Sequence, residues 1–337
     1  MIVRLPVEVV VPLRWDGGDD AAHRADLLDM TSYLARLARH ADVTVVDGSR
    51  PDRFAEHRKA WQPYVRHVAP GPLPGINGKV VGAMTGVHLA RHELVVLADD
   101  DVRYDLATLV DVVVLLGDAD LVRPQNVFSS WPWHARWDGA RSLLNRAVAA
   151  DWPGTFGVRR SALRRTSGWD ADVLFENLEL VRTLRAAGAR VVDAPQILVP
   201  RRPPTTAHFL NQRVRQAYDD VAQPWRLAWA LLTVPTAAAL AVRRPSALLG
   251  AGVALVGLAE AGRQRAGADQ VVPADVPLWA PAWVLERGVC SWLALGSLLR
   301  GGVEYHGRRL RTAAHSPRAL RRRLAHLPET EQLAVRT

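Results

Sequence analysis

The chain has 337 residues, 49% of them apolar, which is enough for one large domain or two smaller ones and excludes wholesale disorder. A net charge of +9 favours an anionic partner, such as nucleotide phosphates, nucleic acid or an anionic membrane face. The single cysteine, Cys290, excludes an internal disulfide and fits a reducing compartment.

The N-terminal MIVRLPVEVVVPLRW has no long apolar segment of the signal-peptide kind, so no cleaved leader is expected. Within it VEVVVPL (7–13) is a continuous apolar, β-branched run, as in a strand buried on both faces. Residues 23–39 place Leu27, Met30, Leu34 and Leu37 at helical spacing, and DVTVVDGS (42–49) is a second strand ending in a turn. Helix (78–92), strand (93–98), helix (105–117) and strand (119–125) follow. A helix over 176–188 is closed by Gly188 ahead of ARVVDAP (189–195). Strands alternating with helices predict an α/β fold with a mostly parallel sheet, flanking helices and right-handed crossovers.

Beyond the break at RRPPTT (201–206) the character changes. An amphipathic helix (208–220) leads into three apolar stretches, 225–242, 247–261 and 278–299, the first and third close to the length that crosses a bilayer. The third carries Glu286 and Arg287, costly if exposed to lipid. Trp225, Trp229, Trp279, Trp283 and Trp292 mark this region as membrane interface or as core, and the cluster Trp131, Trp133 and Trp137 is open to the same two readings. The region is read as membrane-associated, spanning or lying flat. The segment 307–326 is strongly basic, which suits a solvated helix or contact with anionic lipid. Nucleic acid is not expected, because no binding module accompanies the charge. The expected organisation is thus 1–222 as the α/β domain, 223–300 as membrane-associated helices and 301–337 as a basic tail.

The chemistry is expected at the strand ends, where open α/β sheets bind ligands. LVVLADDDVRYD (94–105) runs an apolar strand into Asp99, Asp100 and Asp101. On an extended backbone Asp99 and Asp101 point to one side and Asp100 to the other. Two carboxylates there suit Mg²⁺ or Mn²⁺ bridging a substrate diphosphate, while a helix cap accounts for only one of the three. Neither G-x-G-x-x-G nor G-x-x-x-x-G-K-[ST] is present, so a glycine-rich phosphate cradle is not expected.

The succession VVVPLR, VVDGS, NGKVVGAMTGVHLARHELVVLADDDV, GTFGVRRSALRRTSGW, ENLEL and QRVRQ resembles the family 2 glycosyltransferases of the GT-A fold over about residues 6–220. Its layout is similar to that of membrane members such as the ceramide glucosyltransferase-like and cellulose synthase-like enzymes. The resemblance implies inverting transfer of a sugar from a nucleotide-diphosphate donor, UDP or GDP type, to a lipid or glycan acceptor, with the catalytic domain on the cytoplasmic side. It implies that Asp47 contacts the nucleoside, that Lys79 and Asp100 lie near the donor, and that Asp99 and Asp101 hold the ion. It implies further that 154–160 form a loop toward the acceptor, and that Gln212 and Arg215 share one helix face with Arg215 toward the diphosphate. GGVEYHGRRLR (301–311) resembles the closing V-x-W-R-G-R-x-Y segment, with Tyr305 and His306 in altered places. Three departures stand out. PLRWDGGDD lacks the usual Asn-Glu, for which Asp16 or Trp15 could substitute. Gln216 replaces a tryptophan, against a processive synthase. Asn177 stands where the family has the aspartate that removes the acceptor proton, and an amide takes no proton at neutral pH. Glu176 is then the first choice of base and Glu179 the second, or else the acceptor differs, or the chain is a catalytically degenerate nucleotide-sugar binder or scaffold.

Overall fold

The computed structural model describes residues 4–17, 19–305 and 307–326. Strand β1 (Val7–Leu13), helix α1 (Asp20–Leu37), β2 (Asp42–Asp47), α2 (Pro51–Trp61), β3 (Arg66–Val68), α3 (Gly78–Leu89), β4 (Leu94–Ala98) and α4 (Leu106–Leu115) make up the first half. They are followed by β5 (Leu121–Phe128), α5 (Trp133–Val148), β6 (Thr155–Arg159), α6 (Arg160–Arg164), α7 (Glu176–Ala186), β7 (Val191–Arg201) and α8 (Thr206–Tyr218). The seven strands form one sheet in the order β3-β2-β1-β4-β6-β5-β7. It is the expected mostly parallel α/β sheet, with β6 alone running antiparallel to both its neighbours.

Every residue of β1 is buried, because helices cover both sheet faces. Val9 and Val11 join Met30, Leu34 and Trp61 on one face, while Val10 meets Ala83, Val87 and Leu180 on the other. Even Glu8 in this strand is buried, its carboxylate satisfied by the Thr44 hydroxyl and the Arg91 amide. The segment 154–160, expected as a loop, supplies β6 instead. Phe156 and Val158 are core residues, and the strand fills the gap between β4 and β5.

Helix α3 lies unusually close to β1. A Cβ on Gly82 would sit 2.9 Å from Pro12 Cβ, and one on Gly86 would sit 2.2 Å from Val10 Cγ1. These two glycines, one helical turn apart, set the depth at which the helix carries Lys79 to the carboxyl ends of the strands. Gly86→Ala should therefore destabilise the fold by about 1–3 kcal/mol through overpacking, read as a lower denaturation midpoint in urea.

The remaining elements are α9 (Pro224–Arg243), α10 (Pro245–Gln264), α11 (Ala280–Leu299), the hairpin β8 (Val303–Tyr305) and β9 (Arg308–Leu310), and α12 (Pro317–Ala325). Among the described residues two helices are long and apolar enough to cross a membrane, Pro224–Arg243 and Pro245–Gln270, and they leave Trp225, Trp229, Val242, Leu249 and Val253 exposed. The third expected apolar segment behaves otherwise. Glu286 is bound by Arg213 at 2.6 Å and by the Trp137 indole at 3.0 Å, and Arg287 binds Asp220 at 2.9 Å. Its charges thus face the protein, and α11 packs on α5, α8 and α9. The basic stretch 307–326 folds back onto the α/β domain as well. Leu174 and Phe175 donate backbone hydrogen bonds to Thr312 and Ala313, and Leu320 of α12 is buried. His306 and residues 327–337, part of the expected tail, lie outside the described residues.

Candidate functional site

Parallel strands β1, β2 and β4 end together, and a cleft of about 720 Å³ opens at their carboxyl ends. Because β6 is antiparallel, its entry at Gly154 lies beside the end of β4, and the Asp99 amide donates to the Gly154 carbonyl at 2.8 Å. Gly154 is required there, since a Cβ would sit 2.3 Å from Asp99 Oδ2.

Lys79, in the first turn of α3, is the centre of the cleft. Its Nζ lies 2.6 Å from Asp99 Oδ1 and 2.8 Å from Glu176 Oε1, joining the end of β4 to the start of α7. Burial disfavours the ammonium, but the two carboxylates outweigh it and raise its pKa. Burial would likewise raise Glu176, yet Lys79 holds that carboxyl below its ordinary value. Asp99 goes the other way. Desolvation lifts its pKa against the pull of Lys79, and the Asp101 charge adds to the rise. Desolvation, with help from Asp101, also pushes Asp100 up to about 6, although the Trp15 indole donates a hydrogen bond to it.

Asp101 pairs with Arg201 at 2.7 Å, and its Oδ1 is buried with no hydrogen-bond partner among the described residues. An orphaned carboxylate oxygen beside two carboxyls with raised pKa values is a surplus of buried negative charge. Asp99 and Asp101 offer hard oxygen donors, so this set fits a divalent Mg²⁺- or Mn²⁺-type ion.

Also lining the cleft, the Arg215 guanidinium donates to Gln212 Oε1 at 3.0 Å and stacks over the Tyr305 ring at 4.9 Å. The Tyr305 hydroxyl reaches Asn77 Oδ1, the N-cap of α3. Asn177 at the cleft wall donates its amide to the Pro153 carbonyl at 3.0 Å. The fold thus gathers Lys79, Asp99, Asp100, Glu176, Asn177, Gln212 and Arg215 around one cavity.

Three expected site residues do not line this cavity: Asp101, which pairs with Arg201 at its edge, and Asp47 and Glu179, which lie elsewhere. Asp47 ends β2 with its carboxylate fully buried, and Oδ2 meets His57 Nδ1 at 2.7 Å and His67 Nε2 at 3.0 Å. These partners and the Ser49 amide and hydroxyl depress its pKa despite burial. Glu179 is also buried and binds the backbone and ring of His315. Asp47/His57/His67 and Asp170/Glu179/His315 each bring three potential metal ligands within 4.8 Å. In the first group His57 Nε2 and His67 Nδ1 lack partners among the described residues, whereas a metal-ligating histidine almost always donates its other N–H. Of the two candidates after β1, Trp15 packs edge-on against His57 and Trp61, and Asp16 binds Arg14 and the Arg50 amide.

Arg201 and Asp219 line the cleft as well and were not anticipated. Arg201 falls in a proline-rich break and Asp219 at the end of an amphipathic helix, so the only local signal was a charged residue at the edge of an element.

No protein-family model matches the chain, and no curated protein matches it. Among solved structures it is similar to the mannosyltransferase PcManGT from Pyrobaculum calidifontis in complex with GDP-Man and Mn²⁺. The identity is 21%, covering 86% of this chain and 87% of that one, with a TM-score of 0.49. S. aureus TarS 1-349 is similar at 12% identity over 90% of this chain and 95% of that one, with a TM-score of 0.43. At these identities and TM-scores neither likeness assigns an activity to this chain.

Proposed function

We propose that the chain is an inverting glycosyltransferase that moves a sugar from a nucleotide-diphosphate donor to an acceptor hydroxyl at a membrane. The observation that carries this reading is the meeting of Lys79, Asp99, Glu176 and Arg215 in one cleft at the carboxyl ends of parallel strands. Asp99 and Asp101 would hold the divalent ion, which when bound neutralises charge on the departing diphosphate. Lys79 fixes the Asp99 carboxylate and adds a positive charge beside it. The Arg215 fork suits a phosphate, and Tyr305 holds it in a stacked orientation. A UDP- or GDP-type donor would lie along this row of groups, with the strand ends beneath it.

The exposed apolar faces of α9 and α10 support a membrane setting, with the catalytic domain on the cytoplasmic side and a lipid or glycan as acceptor. Asn177 favours a second reading, a catalytically degenerate binder of nucleotide sugars or scaffold at the membrane, because its amide is committed to a backbone carbonyl.

Calorimetric titration of UDP and GDP into the full chain in detergent, with and without Mn²⁺ or Mg²⁺, tests the donor site. One nucleotide is expected to bind, and metal should tighten it by about tenfold, a gain of ~1.4 kcal/mol. Asp99→Asn/Asp101→Asn should erase the metal dependence. Binding of neither nucleotide under any metal would remove the reading.

A further inference from the structure

Among the described residues five carboxylates line the cleft, and four are engaged by neighbouring side chains. Asp99 and Glu176 share Lys79, Asp100 accepts from Trp15, and Asp220 is held by Arg287 at 2.9 Å with Arg226 at 3.6 Å. Asp219 is the fifth. It begins the short 3-10 turn Asp219–Ala222 after α8 and makes no side-chain hydrogen bond or close ion pair among the described residues. With Asn177 unable to take a proton and Glu176 already bound through Oε1, Asp219 is the carboxylate in the cavity left free to accept one.

We propose that Asp219 is a catalytic residue, the general base that takes the proton from the acceptor hydroxyl. This rests on the sugar-transfer reading. The acceptor oxygen forms the new bond to the anomeric carbon, and the bond from that carbon to the diphosphate oxygen breaks. Its electron pair leaves with the nucleoside diphosphate, and the hydroxyl proton passes to an Asp219 carboxylate oxygen.

The electrostatics suit the role. Burial pushes the Asp219 carboxyl up to about 7; Arg215 of α8 and Arg287 of α11 draw it down, and Glu176 of α7 and the adjacent Asp220 push it up. A base titrating near the operating pH combines ionisation with proton affinity, whereas Glu176 is held below its usual value and is the weaker base. Asp219 is ionised above its pKa, so the rate should rise with pH through about 7 and level off above it.

The test uses the full chain in detergent with Mn²⁺, measuring release of UDP from UDP-glucose or GDP from GDP-mannose with water as acceptor. Asp219→Asn is expected to lower this rate about 10²- to 10⁴-fold and to erase the rising limb between about pH 5.5 and 8.5. Its nucleotide affinity should stay unchanged by calorimetry, which separates lost chemistry from a lost fold. Asp219→Glu should recover part of the rate and the limb. Retention of both by Asp219→Asn, with Glu176→Gln erasing the limb, would transfer the role to Glu176 and overturn the proposal. Wild-type protein that binds nucleotide yet releases no product at any pH overturns this proposal and leaves the degenerate nucleotide-sugar binder in place of sugar transfer. Wild-type protein that binds neither nucleotide overturns the sugar-transfer reading with it.

Discussion

Lys79→Met is expected to lower sugar transfer by about 10²- to 10³-fold and to cost about 3 kcal/mol of stability. The two losses share one cause. Lys79 is the only cation that touches both Asp99 and Glu176 among the described residues, and both carboxylates are largely shielded from water. Methionine keeps most of the length and apolar stem but leaves two half-buried carboxylates facing one another with no ammonium between them. Desolvation already raises Asp99 in the wild type, and removing Lys79 takes away the largest opposing influence. In the variant the folded state therefore binds more protons than the unfolded chain, so its stability falls as pH rises through the unfolded carboxylate value toward the raised folded one. Chemical denaturation at about pH 5 and about pH 7 should show wild type and variant closer together at the acid end. A gap that is constant or wider at low pH would mean that the carboxylates do not depend on Lys79. For activity, kcat should carry most of the loss, because the positive charge matters most as the diphosphate leaves.

Gly154→Ala tests the same cluster through shape alone. The added methyl carbon would sit 2.3 Å from Asp99 Oδ2 and 2.9 Å from its Cγ, so the carboxylate must rotate or the start of β6 must move. Neither is easy. Lys79 grips Asp99 Oδ1, and the Gly154 amide donates to Asn126 at 2.7 Å while its carbonyl accepts from the Asp99 amide. The expected result is a folded protein whose Mn²⁺-dependent nucleotide binding is much weakened and whose transfer rate drops by about 10²-fold, the scale set by a displacement near 1 Å at a reacting centre. Far-ultraviolet circular dichroism and metal-free nucleotide binding should both match the wild type. A variant with normal metal dependence would show that Asp99 does not act from its position beside Gly154.

Much of the architecture was legible locally. The β-branched runs 7–13, 42–49 and 93–98 became β1, β2 and β4, and the 3.6-residue patterns over 23–39 and 78–92 became α1 and α3, because strand and helix periodicity depend on near neighbours. Gly188 closes α7 with φ +78, a backbone setting that glycine adopts at no steric cost. The charged run 99–101, the amide at 177 and the pair Gln212 and Arg215 could be singled out as polar groups placed where an apolar pattern ends. Long-range pairing was not legible. The antiparallel entry of β6 exists because β4 and β5 leave a gap for Phe156 and Val158, which nothing within 154–160 announces. Whether a charge is paired, buried or free is likewise settled by chain segments far apart in sequence. Lys79 meets Glu176 across 97 residues, Glu286 finds Arg213 across 73, and Asp47 turns inward because His57 and His67 happen to flank it. The sequence by itself determined the layered α/β plan and the kinds of groups at its strand ends. Only the tertiary structure decided which carboxylates are spoken for and which one faces the cleft free, because desolvation and charge pairing are properties of the folded neighbourhood.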